Sequence, residues 1–276
     1  MNMMWPLRLL CWAGRQHGWP RFRFPLRLHK GRSRNLRFDA GCFSRLCAWK
    51  IYDLHRVNTV ADYRLHCVGA SGNSYKIALY LNCAGLDWEP VGVDFAGGQT
   101  RDAKWRADNN SMGEIPVLEV KGKRMSQSGA ILLWLAETIG KFAPTSGHRF
   151  EAMRWLFFDN HKFSNNYAMH RVQNCMTPQA SDPAVLAFLR SRVESAFSIA
   201  EKHFRDRPFV LGDSPTIVDF SMAGYVYYPA AETGFDIAAE YPAIDAWRGR
   251  VAALPGWKPP YELMPVGISL PVRGVS

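Results

Sequence analysis

The spacing of apolar and polar positions divides this chain into three stretches. Through residues 1–60 no period emerges. Trp5, Trp12, Trp19 and Trp49 are scattered among Arg21, Arg23, Arg27, Arg32, Arg34 and Arg37 at neither helical nor strand spacing. From Tyr63 the pattern turns regular. Arg64-Leu65-His66-Cys67-Val68 reads as a short strand, ended by Gly69-Ala70-Ser71-Gly72. A helix is predicted from about Ser74, with Ile77, Leu81 and Ala84 at i, i+4, i+7 and Gly85 as its stop. Trp88 to Asp94 reads as a second strand and Arg101 to Ala107 as a short helix. Val117 to Val120 and Arg124 to Ser126 flank Lys121-Gly122-Lys123 as a hairpin. Ser128 to Gly140 is a helix with Ile131, Trp134 and Leu135 on one face. Strands that alternate with helices imply parallel pairing, to which the hairpin adds an antiparallel edge.

Phe142 to Arg149, with Pro144 and Gly147, reads as a linker. Beyond it only helical periods occur: Phe150 to about Cys175, Pro183 to Phe204, Thr216 to Tyr228, and Tyr241 to Leu254. The expected organisation is therefore a leader over 1–60, an α/β domain over 61–141, a linker over 142–149, an all-helical domain over 150–262, and a tail over 263–276.

Charge belongs to the leader. The net charge is +10, but of 34 Lys+Arg and 24 Asp+Glu, 12 and 2 fall in residues 1–60, and the remaining 22 and 22 cancel. The folded body thus carries no signature of nucleic-acid binding. A secretory signal needs a continuous apolar core, which Pro6 and Arg8 interrupt, and a transit peptide would be rich in Ser, where only Ser33 and Ser44 occur. The preferred reading is translated upstream sequence ahead of a start near Val60; targeting and a functional basic arm are its rivals. Six cysteines form no Cys-x-x-Cys pair, and no His pair has zinc spacing, which points to free thiols, a reducing cytoplasmic setting and no metal. No apolar run reaches the roughly 18 residues that span a bilayer, so no membrane association is expected.

Three places carry candidate chemistry. Ser71 stands between a strand and a helix, where backbone N–H groups and the helix dipole favour an anion and a hydroxyl can donate to it; a plain N-cap is the alternative. Gly69-Ala70-Ser71-Gly72-Asn73 is not a nucleophile elbow, because that motif needs glycine where Asn73 stands. Ile115-Pro116 opens a strand, which calls for either a cis bond or an edge position. A cis bond would leave the Val117 backbone available to an extended peptide. Gln127-Ser128, entering a helix directly after the hairpin, offers side-chain and backbone donors to a carboxylate, or again a cap.

Together these segments resemble the glutathione transferase family over about residues 62–262. Ser71-Gly72-Asn73-Ser74-Tyr75-Lys76 is similar to its catalytic loop in serine-type members, and Asn110 with Gly113-Glu114-Ile115-Pro116-Val117-Leu118 to its cis-proline segment. Gln127-Ser128-Gly129-Ala130-Ile131 is similar to its γ-glutamyl-binding turn. Leu211-Gly212-Asp213 and Thr216-Ile217-Val218-Asp219-Phe220 are similar to a helix start in its second domain, with capping-box spacing. The resemblance implies a thioredoxin-like α/β N-terminal domain followed by an all-α C-terminal domain. Glutathione is the implied co-substrate, its thiolate attacking a small hydrophobic electrophile; isomerase, disulfide or peroxide reductase, and noncatalytic members are alternatives. It implies that Ser71 holds the sulfur, with Asn73 or Ser74 sharing or taking that role. It further implies that Ile115, Pro116 and the Val117 backbone meet the cysteinyl part and that Gln127 and Ser128 grip the γ-glutamyl end. A homodimer is implied as well. Trp155 and Phe158 read as core, His161 as surface, and Cys67 and Cys83 as packing residues.

Overall fold

Strand β1 (Tyr63–Cys67) buries Leu65 and Cys67 completely and lies inside a four-stranded sheet of order β2-β1-β3-β4. It pairs in parallel with β2 (Trp88–Gly92), Tyr63 opposite Trp88, and antiparallel with β3 (Val117–Val120), Leu65 opposite Leu118. β4 (Lys123–Ser126) then pairs antiparallel with β3, Val117 opposite Ser126. The hairpin does more than add an edge, because β3 is interior and only β4 of its two strands lies at an edge of the sheet. The computed structural model describes residues 61–266 and Arg273. The leader and most of the tail lie outside the described residues.

Helix α1 (Gly72–Cys83) begins two residues earlier than its apolar period, because Ser71 caps it. The expected face of Ile77 and Leu81 is buried, and so are Tyr75, Lys76, Ala78, Leu79 and Tyr80. A helix hidden on nearly every side has more than one neighbour. One side of α1 faces the sheet and α3 (Ser128–Ile139), and the other meets the helical part of the chain. Helix α2 (Ala103–Asp108) is capped by Asp102, whose Oδ1 accepts the Trp105 N–H at 2.7 Å; Trp105 covers Val93 and Val117.

After the linker every element is helical. The predicted run from Phe150 is continuous but not uniform. It comprises α4 (Arg149–Phe158), a π-helical turn (Asp159–Phe163), α5 (Ser164–Arg171) and a second π turn (Val172–Met176). Helix α6 (Pro183–Phe204) matches its predicted span, with Asp182 as cap and Pro183 in the first turn. The predicted helix over 216–228 is shorter: α7 (Ile217–Met222) starts on a complete Thr216/Asp219 capping box, and the chain turns from Ala223 onward. Among the described residues four further helices follow: α8 (Ala230–Thr233), α9 (Ile237–Glu240), α10 (Pro242–Ala252) and α11 (Pro260–Leu263). Trp155 is buried, Phe158 half-buried and His161 exposed. No helix among the described residues is long and apolar enough to cross a membrane.

Candidate active site

The start of α1 is the first component. Ser71 is half-buried at φ −88°, ψ 107°, and its Oγ accepts the Ser74 N–H at 3.2 Å. The capping and donor readings are compatible, because the bond uses an oxygen lone pair and leaves the hydroxyl hydrogen free. Ser74 differs from Ser71. It is fully buried, and its Oγ has no hydrogen-bond partner among the described residues. Asn73 is half-buried.

The loop ahead of Ser71 is gripped from the helical part. Arg171, itself buried, donates from Nη1 to the Ala70 carbonyl at 2.8 Å and from Nε to Glu232 at 2.9 Å, and stacks 3.7 Å over the Tyr228 ring. The Tyr228 hydroxyl donates to the Gly69 carbonyl at 2.7 Å. Two consecutive carbonyls before Ser71 are therefore tied to a rigid set of buried groups.

The second component is the approach to β3. Asn110 is buried and shapes the loop: its amide donates to the Glu114 carbonyl at 2.9 Å and its Oδ1 accepts the Met112 N–H at 3.0 Å. Gly113 holds φ +69° against the Thr100 carbonyl and the Arg106 side chain, where a Cβ would lie 2.7 Å from each. The Ile115–Pro116 bond is cis. Pro116 and Val117 are buried, Ile115 half-buried.

The third component is the entry to α3. Gln127 stands at φ 70°, ψ 105°, a backbone region that non-glycine residues rarely adopt, and its side chain does not cap the helix. It instead donates to Glu114 Oε2 at 2.7 Å. Ser128, the first helical residue, is buried.

A cleft of about 280 Å³ joins these parts to the helical region. Asn73, Gln127 and Ser128 of the expected site line it, together with Glu114. Ser71, Ser74, Ile115, Pro116 and Val117 are not among its walls. Opposite stand Asn160, Ser164 and Asn165, which sequence reasoning missed, and Tyr225. Asn160 falls in the first π turn, whose wider winding periodicity cannot foretell, and π turns occur often at functional positions. The π-turn carboxylate Asp159 meets Lys76 of α1 at 2.7 Å with both side chains fully buried. Ser164 and Ser221 also donate to it, at 2.5 and 2.6 Å.

No cysteine among the described residues supplies a thiolate at neutral pH. Burial pushes the Cys67 and Cys83 thiols up to about 12 and also raises Cys175. No group of three His, Cys, Asp or Glu side chains gathers among the described residues.

Comparison with known proteins places this geometry. Residues 64–137 match the model of the glutathione S-transferase N-terminal domain, and residues 183–250 match that of its C-terminal domain. A glutathione S-transferase structure from Pseudomonas fluorescens is 32% identical over 72% of this chain and 99% of that one, with a TM-score of 0.63. A disulfide-bond oxidoreductase of Escherichia coli is 28% identical over 66% of this chain and 87% of its own length. A maleylacetoacetate isomerase of Rhizobium meliloti is 28% identical over 61% and 82%. A thioredoxin-like sheet carrying a serine-capped helix, a proline-led strand and a polar cleft against an all-helical partner domain agrees with these matches, and the chain belongs to the glutathione S-transferase family.

Proposed function

We infer that this chain binds glutathione, stabilises its thiolate and directs it at a second substrate. The observation that carries the reading is Ser71: the Ser74 N–H takes one lone pair of its oxygen, while its own hydrogen is uncommitted beside a cleft that holds Asn73, Gln127 and Ser128. A free thiol ionises near ~8.5. A hydrogen bond to a charged acceptor is worth ~1.5–3 kcal/mol, roughly one to two pKa units, and the α1 N-terminus adds to it. Ser71 then acts as a donor and not as a nucleophile. Ser74 has its hydroxyl sealed from solvent, which favours Ser71 and Asn73 over it. In this reading Ile115, Pro116 and the Val117 backbone meet the cysteinyl part. The γ-glutamyl carboxylate meets Ser128 and the free N–H groups opening α3, beside Gln127.

The second substrate is the open part of the reading. A hydrophobic electrophile calls for an apolar wall, yet the amide residues Asn73, Asn160 and Asn165 line the cleft. That lining favours a polar co-substrate such as a disulfide, in keeping with the oxidoreductase relative. The glutathione thiolate would attack one sulfur, form a mixed disulfide and expel the other sulfur as a thiolate. The site is further proposed to work in a homodimer, for which α4 offers the surface. Phe150, Met153 and Phe157 share a face of α4, with Phe150 88% and Phe157 64% exposed.

Calorimetry with glutathione, followed by turnover of an aryl halide and of a glutathione mixed disulfide, tests the reading. Binding with turnover of either supports it and names the chemistry. Binding with turnover of neither points to a noncatalytic member. No binding at millimolar glutathione overturns it.

A further inference from the structure

The turn after α7 brings a phenol to the helix start that carries Ser71. Two glycines permit the approach. A Cβ on Gly72 would lie 2.6 Å from the Gly224 carbonyl and from the Tyr225 ring, and a Cβ on Gly224 would lie 3.0 Å from the Gly72 carbonyl. With no side chain at either position, the backbone of α1's first residue packs directly on residues 224 and 225. Tyr225 is 9% exposed and lines the cleft together with Asn73, Gln127 and Ser128. The backbone N–H groups of Asn73 and Gly72, two of the donors that a helix start leaves free, oppose the rise that burial imposes on the phenol.

Hydrogen bonding sets Tyr225 apart from the other buried tyrosines around α1; the Tyr167 hydroxyl also has no partner among the described residues, but it is sealed from solvent. Tyr75 donates to the Lys258 carbonyl, Tyr80 to the Lys141 carbonyl and Tyr228 to the Gly69 carbonyl. Among the described residues no oxygen accepts from Tyr225. A buried hydroxyl is normally paired, and one that opens on a polar cleft without a protein acceptor is set for a ligand acceptor.

We propose that the Tyr225 hydroxyl, contributed by the helical domain, donates a second hydrogen bond to the glutathione sulfur held by Ser71, and so is a catalytic residue of this site. Chemistry and position agree. A thiolate at the start of α1 accepts from hydroxyls on both sides, one from the sheet domain and one from the helical domain. Burial raises the phenol above its ordinary value, so it stays protonated and a donor throughout the range in which a thiol ionises. The charges acting on it are Arg171, which opposes that rise, and Asp159, which adds to it. The donor assignment rests on the glutathione reading above and adds to it a residue that neither Ser71 nor the cleft's amides replace.

The test is the thiolate absorbance of bound glutathione against pH in the full chain. Tyr225→Phe keeps the ring against Gly72 and removes only the hydroxyl. Its midpoint is expected to rise by about one pH unit relative to the parent, as Ser71→Ala also does, with glutathione affinity at acidic pH within about twofold. Fluorotyrosine placed at position 225, a more acidic donor of nearly the same shape, is expected to move the midpoint down. This second variant keeps the test decisive if Tyr225→Phe folds poorly. A midpoint unmoved by both changes, with glutathione still bound and Ser71→Ala still shifting it, overturns the assignment of Tyr225 and leaves the glutathione reading standing. A parent chain that binds no glutathione overturns both.

Discussion

Lys76 Nζ and Asp159 Oδ2 meet at 2.7 Å, and neither side chain reaches solvent. The pair joins α1 of the sheet domain to the π turn of the helical domain, next to the cleft residues Asn160 and Ser164. Removing one partner of a buried pair strands the other charge, at a cost of about 3–5 kcal/mol. Lys76→Met should therefore lose about that much in urea unfolding and weaken glutathione binding too. Adding Asp159→Leu removes the stranded charge and should recover the loss only in part, because the Ser164 and Ser221 hydroxyls then lose their acceptor. A loss below about 1 kcal/mol for Lys76→Met would show that the pair contributes little.

Ser71 is expected to act on the sulfur more than on the fold. Ser71→Ala removes a cap worth about 1 kcal/mol and the proposed thiol donor. The cap loss should lower thermal stability by a few degrees, and the donor loss should slow turnover by roughly tenfold or more at neutral pH. Ser74→Ala, which deletes an unpartnered hydroxyl, should leave the thiolate titration in place. If Ser74→Ala shifts the titration and Ser71→Ala does not, the roles are reversed.

The homodimer reading makes α4 the sensitive surface. Phe157→Glu, at a position 64% exposed, should leave the fold intact and convert the dimer to monomer in sedimentation at micromolar concentration. Arg149 and Met153 also border this face, lining an apolar hollow with Leu133 and Ile217. Arg190 of α6 is committed within its own chain: it bonds Glu194 and Glu240 and stacks on Phe235. A parent chain that sediments as a monomer rules out the dimer.

Acid should weaken the fold through three histidines. Burial lowers His66, His170 and His203 below the ordinary imidazole value of 6.5. His170 and His203 face the Thr233 and Val210 carbonyls at 3.0 and 2.8 Å. The unfolded chain takes up protons near pH 6.5 that the native rings refuse until lower pH. The contribution is therefore complete above that value and is lost as pH falls below it. Thermal unfolding followed from about pH 7.5 to about pH 5.5 should show a falling midpoint, and replacing each histidine by Gln should flatten the slope. An unchanged slope in all three variants would assign the acid sensitivity elsewhere.

What this chain reveals on its own is whatever depends on neighbours in sequence. Short strands, the Lys121-Gly122-Lys123 hairpin, the Ser71 and Thr216 caps and the Gln127-Ser128 helix entry are local events, set by turn chemistry and by hydrogen bonds a few residues long. Family motifs are legible for the same reason, since each is a compact run of residues. Tertiary structure decided the rest. It buried Lys76 on a helix whose period marks only Ile77 and Leu81, because a second domain covers the outer side. It wound Asp159 to Phe163 as a π turn, which no apolar period encodes, and so put Asn160 into the cleft. It also carried Tyr225 across more than 150 residues of chain to the first turn of α1, a contact that requires glycine at both 72 and 224 at once. Periodicity reports which face of an element is apolar; which distant residue fills that face is settled by packing, where volume and unpaired polar atoms are counted across the whole fold.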